Sequence, residues 1–178
     1  MKILLHTCCA PCLVIPLDDL RSQGHEVTAL FYNPNIHPYS EYLRRLDALT
    51  TYAKDKAVTV INPEQPDSMD KWLQQIVFRE SQRCRMCFNF RMEMTARLAE
   101  SKGFDAFSTT LLYSRFQKHD LLKATCEAIA EKYKIAFFYK DWRTGWNEGV
   151  RRYRTLGLYR QKYCGCLYSE KERALKII

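Results

Sequence analysis

With 178 residues, 47% of them hydrophobic and 27% charged, the chain can bury one substantial core but has little room for two full domains. That composition excludes a disordered or fibrous protein, and no apolar run approaches the ~20 residues that cross a bilayer. The net charge is +8, and nine Lys/Arg against three Asp/Glu between Arg143 and Ile178 place +6 of it in the last 36 residues, a footprint that suits a phosphate backbone.

The predicted elements alternate. Lys2 to His6 is a short apolar run, Cys12 to Gln23 has helical spacing closed by Gly24, and Val27 to Tyr32 is a second β-rich run. Asn33 to Pro38 is a loop and Tyr39 to Lys56 a helix with apolar residues at three and four; Ala57 to Ile61 is the third strand. Ser68 caps a helix over Met69 to Arg79, and a longer one runs from Cys84 to Lys102, ended by Gly103. Phe104 to Thr109 is the fourth strand, His119 to Tyr133 a helix and Ile135 to Tyr139 the fifth strand; from about Asn147 a basic, Tyr-rich helix follows. Strands alternating with helices imply right-handed crossovers and a parallel sheet covered on both faces. The expectation is one α/β domain over residues 1–178, doubly wound and Rossmann-like (HUP-like), with about five parallel strands and a basic region from about residue 143. Ligands then bind beyond the carboxyl ends of the strands.

Eight cysteines carry the strongest signal. The apolar stretch from Met1 to His6 is too short for a signal peptide, so a cytoplasmic protein with reduced thiols is expected, in which clustered cysteines bind metal or do redox chemistry. Cys126 lies in an amphipathic helix and reads as core. The others form three groups. Cys8-Cys9-x-x-Cys12 falls at a strand-to-helix turn, where the positive helix end favours thiolates. Cys84-x-x-Cys87 opens the longest helix with both sulfurs on one face, and Cys164-Gly165-Cys166 can turn both sulfurs to one ion or to each other. Seven sulfurs exceed the four that a tetrahedral zinc or a cubane needs, so a second metal, a redox pair or both are implied. Counting favours four ligands from the first two groups, Cys8, Cys9, Cys84 and Cys87, with Cys12 able to replace a neighbour and with Cys164 and Cys166 left over. A structural zinc would use the same residues.

Softer candidates surround them. His6, His37, His119 and Asp141 could move protons; Ser114, Arg115 and Lys118 could hold phosphate. Aromatics interleaved with cations after Trp142, among them Arg143, Arg151, Arg152, Tyr159, Arg160 and Lys162, could grip RNA and stack a splayed base. Neither a Lys-Ser/Thr phosphate loop nor a three-glycine dinucleotide pattern occurs.

Taken together, Leu4 to Cys12, Phe31 to Ile36, Arg83 to Cys87, Ser108 to Leu111 and Tyr159 to Cys166 resemble the cobalamin-independent epoxyqueuosine reductases, the QueH family. Arg115 stands where many relatives carry Pro. The resemblance implies removal of the epoxide oxygen from epoxyqueuosine in tRNA to leave queuosine, with two electrons and two protons in and water out. It implies a [4Fe–4S] cluster on Cys8, Cys9, Cys84 and Cys87, a neighbouring iron with Cys12, Cys164 and Cys166 available to it, and Cys164/Cys166 as a redox-active pair that can close a disulfide. Asp141, His6 or one of those two thiols would protonate the leaving oxygen. The partners implied are the tRNA anticodon arm, gripped by the basic region, and an unidentified electron donor, with no membrane. Two other classes compete: a zinc-stabilised RNA-binding module and a thiol–disulfide oxidoreductase.

Overall fold

Ile3, Leu4 and Leu5 have no solvent exposure on either face, which suits them to the middle of a parallel sheet. In the computed structural model, which describes residues 1–63 and 68–177, they form β1 (Lys2–His6), paired in parallel with β2 (Glu26–Leu30) and β4 (Ala106–Thr109). β3 (Val60–Ile61) and β5 (Ala136–Phe137) complete the sheet in the order β3-β2-β1-β4-β5, all parallel. The expected architecture is present, and strand order reverses between β1 and β4.

Helices cover both faces: α1 (Ala10–Ser22), α2 (Tyr39–Asp55), α3 (Ser68–Ile76), α4 (Arg83–Ser101), α5 (His119–Tyr133), α6 (Trp146–Arg154) and α7 (Leu167–Ala174). None of them is long and apolar enough to cross a membrane. α1 begins two residues before the expected start, with extended Cys9 as its N-cap and Pro11 in its first turn, where a missing N–H costs nothing. It buries Leu13, Val14, Leu17 and Leu20 and ends before Gly24, whose φ of 76° lets the chain turn back into β2.

The other departures are local. β3 has two residues rather than five, because Ala57 takes a left-handed φ of 49° and the Val58 amide still bonds the Ala53 carbonyl of α2. α3 stops at Ile76, since Phe78 also lies in the left-handed region at φ 62°. α6 ends at Arg154, an irregular strap follows through Cys164, and α7 was not anticipated. Its eight residues bury only Ser169, so it has no apolar stripe to announce it.

Candidate metal centre

β1 ends at His6, and the turn into α1 sets three cysteines on the rim at the strand-order reversal. Cys8, Cys9 and Cys12 are all buried, and their sulfurs lie within 4.8 Å of one another, 3.5 Å apart for Cys8 and Cys9. From the end of β4, Thr110 bonds both the Cys8 amide, at 3.3 Å, and the Cys8 sulfur, at 3.7 Å. Hydrogen bonds from the Cys12 and Cys9 thiols hold the Cys8 thiol well below its usual range. Donation to Cys8 pushes the Cys12 thiol well above its own, and burial does the same to Cys9. Within the trio, Cys8 is thus the thiol whose ionisation its neighbours favour.

Cys84 and Cys87, one turn apart at the start of α4, meet Cys164 and Cys166 around a separate cavity of about 30 Å³ that Asn35, Trp72, Phe88, Arg91 and Gln117 also line. Burial pushes the Cys87 thiol up to about 12. Cys164 is exposed and accepts a hydrogen bond from Gln117 Nε2 at 3.3 Å; Cys166 is buried and caps α7 by accepting the Ser169 amide at 3.4 Å. All eight cysteines are free thiols, so no disulfide joins Cys164 to Cys166. Cys126 is buried in α5 among core residues, as expected. Gln161 Nε2 spans toward the first group, donating to Cys9 at 2.8 Å and Cys12 at 3.8 Å.

The Cys-Gly-Cys strap is held by α2. Glu41 and Arg45, each 1% exposed, form a 2.8 Å ion pair, and Arg45 donates to the carbonyls of Cys164 at 2.9 Å and Tyr163 at 3.0 Å. Tyr159 donates to Glu41, Tyr163 donates to the His37 carbonyl, and the His37 amide bonds the Gly165 carbonyl at 2.8 Å. Gly165 has φ 147°, and a Cβ there would stand 3.0 Å from Asn35 Nδ2 and 3.1 Å from Ile36 Cγ1. Only glycine fits. Glu41 and Arg45 were not among the residues anticipated; Tyr159 and His37 were, in other roles. Arg91 was legible, since it follows Cys84 and Cys87 at the i, i+3, i+7 spacing of one helix face.

Two candidate proton donors are tied into polar contacts. Asp141 is clasped by Arg143 through both carboxylate oxygens, at 2.6 to 3.1 Å, which lowers its pKa to about 2; it holds no proton at neutral pH. His6 is wholly buried between Thr109 Oγ1 and the Tyr32 carbonyl, and burial lowers its pKa to about 3, so it is a neutral structural bridge between β1, β4 and β2. His37 packs against Trp72, and His119 bonds the Tyr139 hydroxyl at 3.1 Å.

The basic residues divide. Arg143 is paired to Asp141, Arg151 to Glu148 and Arg152 to Asp18, whereas Arg160 and Lys162 on the strap are exposed and have no side-chain partner among the described residues. Tyr159, a candidate for gripping RNA, donates its hydroxyl to Glu41 and has Arg44 over its ring at 4.9 Å. An open recess of about 380 Å³ lies elsewhere, lined by Arg115, Asp141, Arg143 and Thr144. Ser114 beside it is buried; Lys118 is exposed.

Three buried sulfurs within 4.8 Å, one of them held below its usual thiol range, are a soft donor set that fits iron or zinc. A family model described as epoxyqueuosine reductase QueH matches residues 3–172. An epoxyqueuosine reductase QueH of Dehalococcoides mccartyi is 37% identical over 172 residues, covering 97% of this chain and 94% of its own length. One from Thermotoga maritima is 37% identical over 182 residues, covering 98% and 93%. Among solved structures, a predicted subunit of tRNA methyltransferase from Methanocaldococcus jannaschii superposes with a TM-score of 0.59 over 99% of this chain and 87% of its own, at 12% identity, a likeness of fold.

Proposed function

Because the chain belongs to the QueH family of epoxyqueuosine reductases, which are oxidoreductases, we propose that it converts epoxyqueuosine in tRNA to queuosine with an iron–sulfur centre held by its cysteines. The observation that carries this reading is the gathering of seven cysteines from three distant segments into two groups, three buried at the turn after β1 and four around one cavity. Breaking both C–O bonds of the epoxide and forming an alkene consumes two electrons and two protons and releases water. When bound, a [4Fe–4S] cluster on Cys8, Cys9, Cys84 and Cys87, with a further iron beside Cys12, would relay the electrons and supply a Lewis acid for the epoxide oxygen, while Cys164 and Cys166 stay off the metal as a dithiol.

The chain's own residues do the rest. With Asp141 ionised and His6 neutral, the thiols of Cys164 and Cys166 are the proton donors, and as a dithiol they release two electrons and two protons on closing to a disulfide, the amount one epoxide consumes. An external electron donor then restores them. Gln117 orients the exposed Cys164, and the Glu41–Arg45 pair fixes the carbonyls of its strap.

Arg160 and Lys162, flanking the strap's entry, and Arg115 and Arg143 on the open recess grip the phosphates of the anticodon arm. Phe116, 78% exposed against Trp146, offers a face on which a splayed loop base stacks. The whole chain thus acts as one cytoplasmic metalloenzyme unit. The test is iron and acid-labile sulfide on anaerobically purified protein, followed by conversion of epoxyqueuosine-bearing tRNA under a chemical reductant. About four sulfides with four to five irons per chain, and appearance of queuosine, are expected. About one zinc without sulfide, and no conversion, would replace the reductase with a zinc-stabilised RNA-binding module.

A further inference from the structure

Arg91 is 1% exposed and has no carboxylate partner among the described residues. Its Nε–H donates to the Cys87 carbonyl at 3.2 Å, its guanidinium lies 5.9 Å from the Phe88 ring centre, and Nη2 is buried with no acceptor. Trp72 has no solvent exposure, and its Nε1–H is orphaned in the same way. Both residues line the cavity that Cys84, Cys87, Cys164 and Cys166 share. A buried cation without a counter-charge, beside a second unsatisfied donor, is an arrangement that folding strongly disfavours unless an anion completes it. The groups at hand that can become anions are sulfurs: the field of Arg91 acts on Cys87, Cys164 and Cys166 and reaches Cys8 in the first group.

We infer that Arg91 and Trp72 are positioning residues for an anionic metal–sulfur centre, Arg91 as its buried counter-cation and both N–H groups as donors to its sulfur atoms. The inference rests on the reading above that these cysteines hold such a centre. Positive charge and hydrogen bonds at the sulfurs stabilise the reduced, more negative state, so the pair raises the reduction potential; both also stabilise thiolate ligands and slow metal loss. A residue that merely fills the core would move neither quantity.

The test compares wild type with Arg91→Met, Arg91→Lys and Trp72→Phe, each purified anaerobically with its metal. Two readouts are taken: the midpoint potential by redox titration followed by EPR, and the rate of metal loss to excess EDTA. Arg91→Met is expected to lower the reduction equilibrium constant about tenfold, which is about 59 mV for one electron, and to lose metal about tenfold faster. Arg91→Lys keeps the charge and recovers more than half of the potential. Trp72→Phe deletes the N–H but keeps an aromatic ring, and it shifts both readouts in the same direction by less. Should Arg91→Met fail to fold, Arg91→Lys against Trp72→Phe carries the comparison.

Metal-loaded variants that match wild type in both readouts would overturn the inference and leave the reductase reading standing. An Arg91→Lys protein as impaired as Arg91→Met would overturn it too, since charge is then not the cause. A wild type that binds no metal would remove the reductase reading and the inference together. A wild type carrying zinc without sulfide would remove the reductase reading alone, and faster zinc loss from Arg91→Met would still sustain the counter-cation.

Discussion

The sulfur trio at the start of α1 and the sulfur quartet around Cys84 and Cys166 reach neighbouring positions by opposite routes. The trio spans four consecutive backbone steps, from Cys8 to Cys12, at the turn that follows a strand buried on both faces and paired on both edges. The quartet is assembled from segments about 80 residues apart, and one half of it sits on an irregular strap whose anchors are side chains of α2. A locally built site depends on the strand that delivers it. An assembled one depends on a few buried polar contacts, each of which can fail alone.

The largest effect should come from the trio. Cys8→Ser removes the thiol that its neighbours and Thr110 favour in ionised form, and bound metal together with epoxide reduction should fall below detection in metal analysis and a turnover assay; retained metal would take Cys8 out of the ligand set. Next is Arg45→Met, which leaves Glu41 with only Arg44 and the Tyr159 hydroxyl and frees two strap carbonyls. A loss of about 3 kcal/mol in urea unfolding is expected, with faster amide exchange in residues 159–166 than in β1. Equal exchange changes in both places would erase the distinction between the regions.

Gly165→Ala should cost about 1–3 kcal/mol, because alanine must take a φ of 147° and press on Asn35 and Ile36. It should slow reduction while leaving the bound metal unchanged, since neither Cys164 nor Cys166 is a cluster ligand, which metal analysis of the variant checks. The smallest effect concerns RNA. Replacing Arg160 and Lys162 together with alanine should weaken tRNA binding and lower its salt-dependence slope by about 1.5, roughly 0.7–0.9 per phosphate contact. Replacing Arg151 and Arg152, already engaged by Glu148 and Asp18, should do less in the same filter-binding series; a larger effect there would shift the grip from the strap to α6.

Much of the sheet was legible because β1, β2 and β4 are apolar runs with turn residues at their ends, and α2 and α5 show clear helical spacing. The three cysteine groups were legible because thiols cluster in reduced proteins for few reasons other than metal and redox chemistry. What sequence could not show was the pairing of distant polar groups. The clasp of Arg143 on Asp141 and the bond from the Tyr159 hydroxyl to Glu41 join side chains that no local pattern pairs. Glu41 and Arg45 read as an ordinary i, i+4 surface pair on a polar helix, and nothing local reveals that both are buried. Likewise α7 is too short and too polar to carry a periodic signal.

The central placement of β1 also sets a timescale. Its amides and carbonyls are bonded to strands on either side, so they open only when the sheet itself comes apart, whereas the strap beyond Arg154, with Thr155, Leu156 and Gly157 all exposed, can detach while the sheet persists. The lifetime of the trio is then the lifetime of the whole fold, and the quartet can exchange solvent, ligand or a bulky nucleoside many times within it. A protein that must keep three buried thiols in register while a second sulfur group stays open to solvent gains from having these two clocks on one rim.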